Sequence, residues 1–375
     1  MSTKAKVEYR RFEPGRRILV VSDVHGQLDY LRGLLDKVQF SERDYLIFDG
    51  DILEKGPRSL ETLRFIMELS RAGNVFTVCG NCDNWSDIYD RGTEGGLFSL
   101  PRQEMFEATR AYINEKPQAI LHQMCREISF PVTPDMDMEA MAEALRGPFA
   151  AEFDFLRAMP TILDTPHYTF VHGGLPEGEL SALDAYACMK NDSFLTQGRR
   201  FDKWVVVGHW PVVLYGENIT CANPVIDRGS RIVSIDGGCV LKDDGQLNAL
   251  IIPEDGSGDF DFSYYDPFPV CTALDAQAAS ERSWYLRWGD NRVRVLEQGA
   301  EFCLCEHLRT GYRMDILTKY LTPLGDGVFS ANDCTDYRLP VAPGDRLSVV
   351  ERTSRGVLAK KNGVSGWYAG RLEEL

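Results

Sequence analysis

The chain is short of histidine, of long apolar runs and of positive charge. No apolar stretch approaches the roughly 20 residues needed to cross a bilayer. Met1 to Arg11 is polar and basic, without the apolar core of a secretory signal. A membrane is therefore not an expected partner, and a cytoplasmic location is expected. Lys and Arg number 41 against 56 Asp and Glu, a formal net charge of −15. Sequence-independent nucleic-acid binding depends on basic patches, so nucleic acid is not an expected partner either. Any site for a phosphate would take its positive charge from metal rather than from Lys and Arg. The ten Cys are scattered and read as reduced thiols. Cys79 and Cys82 have the spacing of a redox or zinc pair, but Cys79 falls at a strand end and Cys82 has another place in the pattern below.

With only six His in 375 residues, where they fall is informative. The apolar run Ile18, Leu19, Val20, Val21 leads into Ser22, Asp23, Val24, His25, Gly26. Side chains on an extended segment alternate faces, so Asp23 and His25 are expected to point the same way, with Gly26 turning the chain into a helix over Leu28 to Val38. The construction recurs. Tyr45 to Phe48 leads into Asp49, Gly50, Asp51, and Val75 to Val78 leads towards Gly80, Asn81, Cys82, Asp83. Tyr168 to Val171 ends in His172, Gly173, Gly174, and Trp204 to Val207 ends in Gly208, His209, Trp210. Three of the six His thus sit at predicted strand ends.

Asp23, His25, Asp51, Asn81, His172 and His209 together supply three imidazoles, two carboxylates and an amide. This nitrogen and oxygen set suits two divalent ions, Mn²⁺ first and Fe or Zn as well, better than Ca²⁺ or Mg²⁺. With ions roughly 3.5 to 4 Å apart, Asp51 would bridge them and a water between them would ionise near neutral pH. His122 and His307 match no motif and are expected on the surface or a helix face; His167 is expected to be structural. Asp49 and Asp83 lie beside the ligands, where they would orient them or cap turns, and Asp236 ends a strand beside the site, where it would support a ligand.

In these five motifs the chain resembles the calcineurin-like metallophosphoesterases of the phosphoprotein phosphatase superfamily over about Arg17 to Ile252. The resemblance implies that Asp23, His25 and Asp51 hold one ion and Asp51, Asn81, His172 and His209 the other. Ser22 replaces the family's first Gly. Larger departures fall on the residues that handle phosphate. Glu54, Lys55, Gly56 stand for Asp-Arg-Gly, and Lys cannot make the planar bidentate contact of Arg. Cys82 stands where the family has a catalytic His, followed by Asp83. The second phosphate-binding Arg falls near Lys190, with Arg199 and Arg200 displaced from it. The expected catalytic residues are Asp51, Cys82, Asp83 and Lys55, and the expected substrate contacts are Lys55, Asn81, Lys190, Arg199 and Arg200. The resemblance implies a dinuclear phosphoester hydrolase acting on a phosphorylated small molecule, nucleotide or phosphoprotein. A phosphodiesterase or dinucleoside polyphosphate hydrolase is the alternative, and a catalytically weak metal-binding scaffold is the alternative of another class.

The alternation of strands and helices from Arg17 to about Ile252 predicts an α/β class, and the resemblance implies a layered α/β/β/α sandwich. A Met-, Ala- and Glu-rich stretch at about 97–159, with helical periodicity in Gln103 to Ile113 and Met138 to Leu145 and Pro breaks, is expected to be a helical insertion over the sheet edge or site mouth. The expected domains are 1–265, a linker at 266–283, and 284–375. Short β-like runs at Val293 to Leu296, Phe302 to Leu304, Leu347 to Glu351, Gly356 to Lys360 and Gly366 to Tyr368 predict a small all-β barrel. It resembles a bacterial Src-homology-3-like domain through Pro343, Gly344, Asp345, Leu347 to Val350 and Gly363 to Tyr368. A peptide ligand or an intramolecular contact is expected for it, with Trp367 and Tyr368 either forming a groove or serving as core and rim aromatics.

Overall fold

The strands that carry the motifs are apolar at successive positions because they are covered on both faces. In the computed structural model, which describes residues 3–85 and 101–374, all four residues of Ile18–Val21 are buried. Ile18 and Val20 face one core, and Leu19 and Val21 face another. Tyr45–Asp49 divides the same way, with Ile47 in the first core and Leu46 and Phe48 in the second. Continuous apolar runs of this kind belong to strands inside layered sheets rather than to half-exposed ones.

The chain divides into two units. The first contains Met1–Pro211, Pro224–Leu241 and Gln246–Tyr265. One of its sheets has five strands in the order Asp261–Tyr265, Leu247–Ile252, Ile18–Val21, Tyr45–Asp49, Val75–Val78, the last three mutually parallel. The other has six, in the order Val7–Tyr9, Ile162–Asp164, Tyr168–Val171, Trp204–Val207, Ile232–Ser234, Val225–Asp227. The two sheets share a core in which Ile18, Val20 and Leu250 meet Tyr168, Phe170 and Val206. Leu28–Lys37 and Ser59–Ser70 cover the outer face of the first sheet, their Leu31, Leu34, Leu63 and Ile66 buried in its core. This is the α/β sandwich of calcineurin-like topology. Parallel order places the carboxyl ends of Ile18–Val21, Tyr45–Asp49 and Val75–Val78 side by side, and Tyr168–Val171 and Trp204–Val207 are likewise parallel neighbours.

The expected insertion is helical, with Arg102–Glu115, Ile120–Glu127, Met138–Arg146 and Ala150–Ala158; its positions 97–100 lie outside the described residues. Its Met124, Met138 and Met141 are buried in the same core as the two covering helices, so the Met content is packing. Among the described residues no helix is long and apolar enough to cross a membrane.

The second unit contains Val212–Asn223, Lys242–Gly245 and Asp266–Leu375. All five β-like runs predicted there are strands; among the described residues the unit has three sheets, the smallest pairing Tyr285–Leu286 with Cys334–Thr335, and two apolar cores. The six-stranded sheet runs Leu372–Glu374, Val270–Ala273, Arg346–Thr353, Gly356–Lys361, Val364–Tyr368, Thr220–Cys221. The five-stranded one is built from Arg292–Glu297, Phe302–His307, Arg313–Leu317, Leu321–Gly325 and Val328–Ala331. The stretch expected as a linker supplies the strand Val270–Ala273, which is paired on both sides. A cut near Ser280 would therefore remove every strand partner of Val270–Ala273 and of Thr220–Cys221. The two aromatics follow the core and rim reading rather than the groove one. Tyr368 is fully buried, its hydroxyl donating to Asp275 O at 2.8 Å, and Trp367 Nε1 donates to Thr335 O at 2.7 Å. His307, expected on the surface, is buried in a strand between Asp290 and Thr310.

Lys360 is 2 % exposed, with its Nζ 3.4 Å from Asp266 Oδ2, and burial pushes its ammonium pKa down. Breaking a buried pair by removing one partner costs about 3–5 kcal/mol. Asp266→Ala should therefore destabilise the unit by that order in urea unfolding. A loss below about 1 kcal/mol, the scale of an exposed pair, would show that the two charges are solvated.

Candidate metal centre

Beyond the strand ends the two leading loops continue to pair. Asp23 N donates to Gly50 O at 3.0 Å, His25 N to Asp51 O at 2.9 Å and Gly26 N to Ile52 O at 2.9 Å. This pairing, rather than extended alternation, brings Asp23, His25 and Asp51 together. The strand stops at Val21, and these three residues have left-handed φ angles of 57°, 49° and 50°. His209 has φ 65°. Such conformations cost of order 1–3 kcal/mol each and persist only where the surroundings fix them. Asp83 helps to fix them here. Its Oδ1 accepts from Ile52 N and Leu53 N at 3.0 and 3.1 Å, and its Oδ2 from Gly80 N at 2.9 Å. Of the two roles expected for Asp83, catalytic or turn-capping, its carboxylate fills the second by holding loop backbone.

The motif glycines are required by close approach. A Cβ at Gly80 would stand 2.2 Å from Asp51 N and 2.3 Å from Asp51 Oδ1, and one at Gly50 would stand 2.6 Å from His172 Cγ. At Gly208 it would meet Ser22 Oγ and lie 2.5 Å from Asp23 Oδ2. The two sheets join at this last point, where His209 N donates to Asp23 Oδ2 at 3.0 Å. Ser22, the departure from the family's Gly, donates to Asp49 O at 3.0 Å and to Asp23.

Two imidazoles have fixed tautomers. His25 Nδ1 donates to Leu53 O at 3.0 Å and His172 Nδ1 to Asp49 O at 2.8 Å, which turns each Nε2 inward. Asp51 Oδ2 lies 3.8 Å from His25 Nε2, and Asp51 Oδ1 lies 3.2 Å from His172 Nε2. One carboxylate therefore faces two imidazoles with different oxygens. His209 Nε2 meets Asp192 Oδ1 at 2.8 Å, leaving Nδ1 for the centre. Two groups of potential ligands share Asp51: His25, Asp51 and Cys82, and Asp51, His172 and His209, with ligand atoms in each group within 4.8 Å of one another. Asp23 Oδ1 and Asn81 Oδ1 are buried without a hydrogen-bond partner. Acceptors of this kind are costly to bury unpaired, and cations would satisfy them. The residues present fit two divalent ions.

The electrostatics agree. Burial pushes His172 down, but Asp51 and Asp23 outweigh it and hold the imidazole at about 10. Burial likewise pushes Asp51 up, but His172 outweighs it and holds the carboxyl well below its ordinary range. The pocket thus favours a positive charge between these carboxylates. Burial, helped by Lys55, lowers His25 to about 3, and burial with His172 lowers His209 to about 4, so both imidazoles are neutral. Burial and Asp236 raise Asp23. Burial alone lifts Asp49 to about 7, and its carboxylate, which has no hydrogen-bond partner, caps nothing.

Lys55 brings its ammonium to 3.3 Å from His25 Nε2. Cys82 N donates to Asp51 Oδ1 at 2.8 Å and its thiol accepts from Asn81 Nδ2 at 3.3 Å. Lys190 lies at the rim, 3.5 Å from the Asp192 that holds His209. Arg199 and Arg200 do not join the site. They precede Trp204–Val207, whereas His209 follows it, so the strand separates them from the centre. Arg199 stacks over Phe201 and Arg200 acts on Asp227. The sequence pattern missed Asp192, although it stands two residues after Lys190, and it missed Tyr112, for which no motif signal exists.

Tyr112 ties the insertion to the Lys55 loop. Its hydroxyl donates to Glu54 Oε2 at 2.7 Å, and Ile120 N donates to Glu54 Oε1 at 3.0 Å. Burial lifts the Glu54 carboxyl from 4.5 to about 7. A carboxyl raised on folding contributes fully below its unfolded value, and that contribution is lost as pH rises through the folded one. The ion-free protein should therefore lose up to roughly 3 kcal/mol through Glu54 between pH 4.5 and about 7. Glu54→Gln should remove that share of the slope in thermal melts with chelator; an unchanged slope would contradict it.

A family model described as calcineurin-like phosphoesterase matches residues 16–233, more than half of the chain. The chain belongs to the calcineurin-like phosphoesterase family. With a candidate dinuclear centre at the family's motif positions, the phosphoesterase is a hydrolase. Its curated relatives include proteins named bis(5'-nucleosyl)-tetraphosphatase, symmetrical. That of Aliivibrio salmonicida is 39% identical over 93 residues, 22% of the phosphoesterase and 33% of the relative. That of Photobacterium profundum is 30% identical over 185 residues, 47% and 53% of the two chains. The phosphoesterase thus spans between a third and about half of the length of these relatives. Among solved structures, one described as a putative diadenosine tetraphosphatase is 19% identical, with a TM-score of 0.39, over 70% of the phosphoesterase and 99% of that chain.

Proposed function

We propose that the protein hydrolyses the phosphoanhydride bridge of dinucleoside polyphosphates, cutting a tetraphosphate symmetrically, in preference to phosphoserine esters. The observation that carries this is the absence of any spare imidazole at the centre. His25, His172 and His209 are spoken for as ligands. His122 Nδ1 bonds Ile113 O, His167 lies beside Gly256 and His307 bonds Asp290 and Thr310. Expulsion of a serine alkoxide gains roughly 10² to 10⁴ in rate from a general acid, whereas a departing nucleotide phosphate is a weak base that needs little protonation. The relatives named as tetraphosphatases support the same reading.

Asp23, His25, Asp51, Asn81, His172 and His209 would hold the ions, which when bound supply Lewis acidity and a water acidic enough to ionise near neutral pH. Asp51 presents one oxygen to each half of the centre. Asp192 holds His209 in orientation, Asp83 holds the loops, and Lys55 and Lys190 offer compact positive charges to a polyphosphate. The second unit, in which Pro343, Gly344 and Asp345 lead into Arg346–Thr353 and Gly363 turns the chain into Val364–Tyr368, is read as a non-catalytic Src-homology-3-like module.

Full-length protein loaded with Mn²⁺ should turn over a dinucleoside tetraphosphate with a kcat/KM at least about 10² above that for a phosphoserine peptide, releasing nucleoside diphosphate alone. Equal or faster phosphoserine turnover, or a nucleoside mono- and triphosphate product pair, would contradict the reading.

A further inference from the structure

The position where the resemblance places a catalytic His is held here by a thiol that faces the ligands themselves. We propose that Cys82 is a ligand of the ion held by His25 and Asp51, making the centre a mixed thiolate site; this rests on the metal-dependent reading above.

Three observations converge on it. Cys82 is pinned to the bridging carboxylate by its own N–H, 2.8 Å from Asp51 Oδ1. Its Sγ falls within 4.8 Å of the ligand atoms of both His25 and Asp51. The same pocket contains an independent unpaired donor atom, since Asp23 Oδ1 is buried without a hydrogen-bond partner, 3.8 Å from His25 Nε2. The Lys55 ammonium stands 3.3 Å from that Nε2. Lys55 and an ion cannot share one lone pair, so the flexible lysine stem leaves when an ion enters. Coordination forms a metal–sulfur bond, and the thiol proton goes to solvent.

A thiolate changes which ion the centre prefers. Soft sulfur favours Zn²⁺ or Fe²⁺ over Mn²⁺ relative to an all nitrogen and oxygen set. The Mn²⁺ preference expected from the six nitrogen and oxygen ligands therefore holds only for the half of the centre around His172 and His209.

X-ray absorption on the full-length protein loaded with two Zn²⁺ tests the proposal. The wild type should show a sulfur shell at about 2.3 Å beside nitrogen and oxygen at about 2.0–2.1 Å, with about one sulfur for every two ions. Cys82→Ser should keep both ions, lose the sulfur shell, and lower the preference for Zn²⁺ over Mn²⁺ in competition by at least about tenfold. A wild type with two ions, tetraphosphate hydrolysis and no sulfur shell would overturn this proposal alone. So would a sulfur shell that survives Cys82→Ser. A wild type that binds no ions would overturn both this proposal and the functional reading beneath it.

Discussion

Asp51→Asn is expected to weaken ion binding in both halves of the centre by about 10²-fold or more and to lower tetraphosphate turnover by at least about 10³-fold. The side chain sends Oδ2 towards His25 and Oδ1 towards His172, and Oδ1 also accepts the Cys82 N–H. An amide has one acceptor oxygen. If that oxygen faces His172, the NH₂ faces His25 and one half of the centre loses its ligand. If it faces His25, two donors oppose each other at Cys82. Neither orientation can bridge. Titration of ions into the stripped variant checks this, and a variant that still binds two ions with wild-type affinity would remove Asp51 from the shared position.

Gly80→Ala should be comparably damaging although residue 80 has no side chain to lose. The added methyl would stand 2.2 Å from Asp51 N and 3.0 Å from Asp51 Cα. Those are backbone atoms, anchored by the loop pairing, so the clash is relieved only by moving the bridging residue. Overpacking of this kind costs about 1–3 kcal/mol, and a displacement of about 1 Å at a reacting centre costs on the order of 10²-fold in rate. Gly73→Ala is the control. Gly73 has φ 77° and no atom within 4 Å of an added Cβ, so it should lower the melting temperature without altering ion stoichiometry or turnover. Wild-type turnover in Gly80→Ala would mean that the loops are not closely packed in solution.

The centre was legible in sequence because each motif is local. Apolar strand, glycine and ligand follow one another within ten residues, and parallel order then brings the five ends together. Alternation along an extended strand does not by itself bring the ligands together. Asp23 and His25 align through left-handed backbone and loop pairing, which no alternation pattern contains. Contacts across long separations stayed hidden for the same reason. Tyr112 meets Glu54 across 58 residues, and Lys360 meets Asp266, without any periodicity to announce either. Arg199 and Arg200 were placed by proximity in sequence, but the strand that follows them carries the chain away before His209. In the second unit the strands were visible as alternation and turns. Their division among separate sheets was not, because the strand from Val270 to Ala273 pairs with residues more than 70 positions later.

One carboxylate, Asp51, is proposed to join two ions into a single centre. Electron paramagnetic resonance of the protein loaded with two Mn²⁺ per chain tests it most directly, because ions sharing a bridging ligand are exchange-coupled. The wild type should give a coupled two-manganese spectrum that gives way to isolated-ion signals in Asp51→Asn. Two independent single-ion signals in the fully loaded wild type would contradict it.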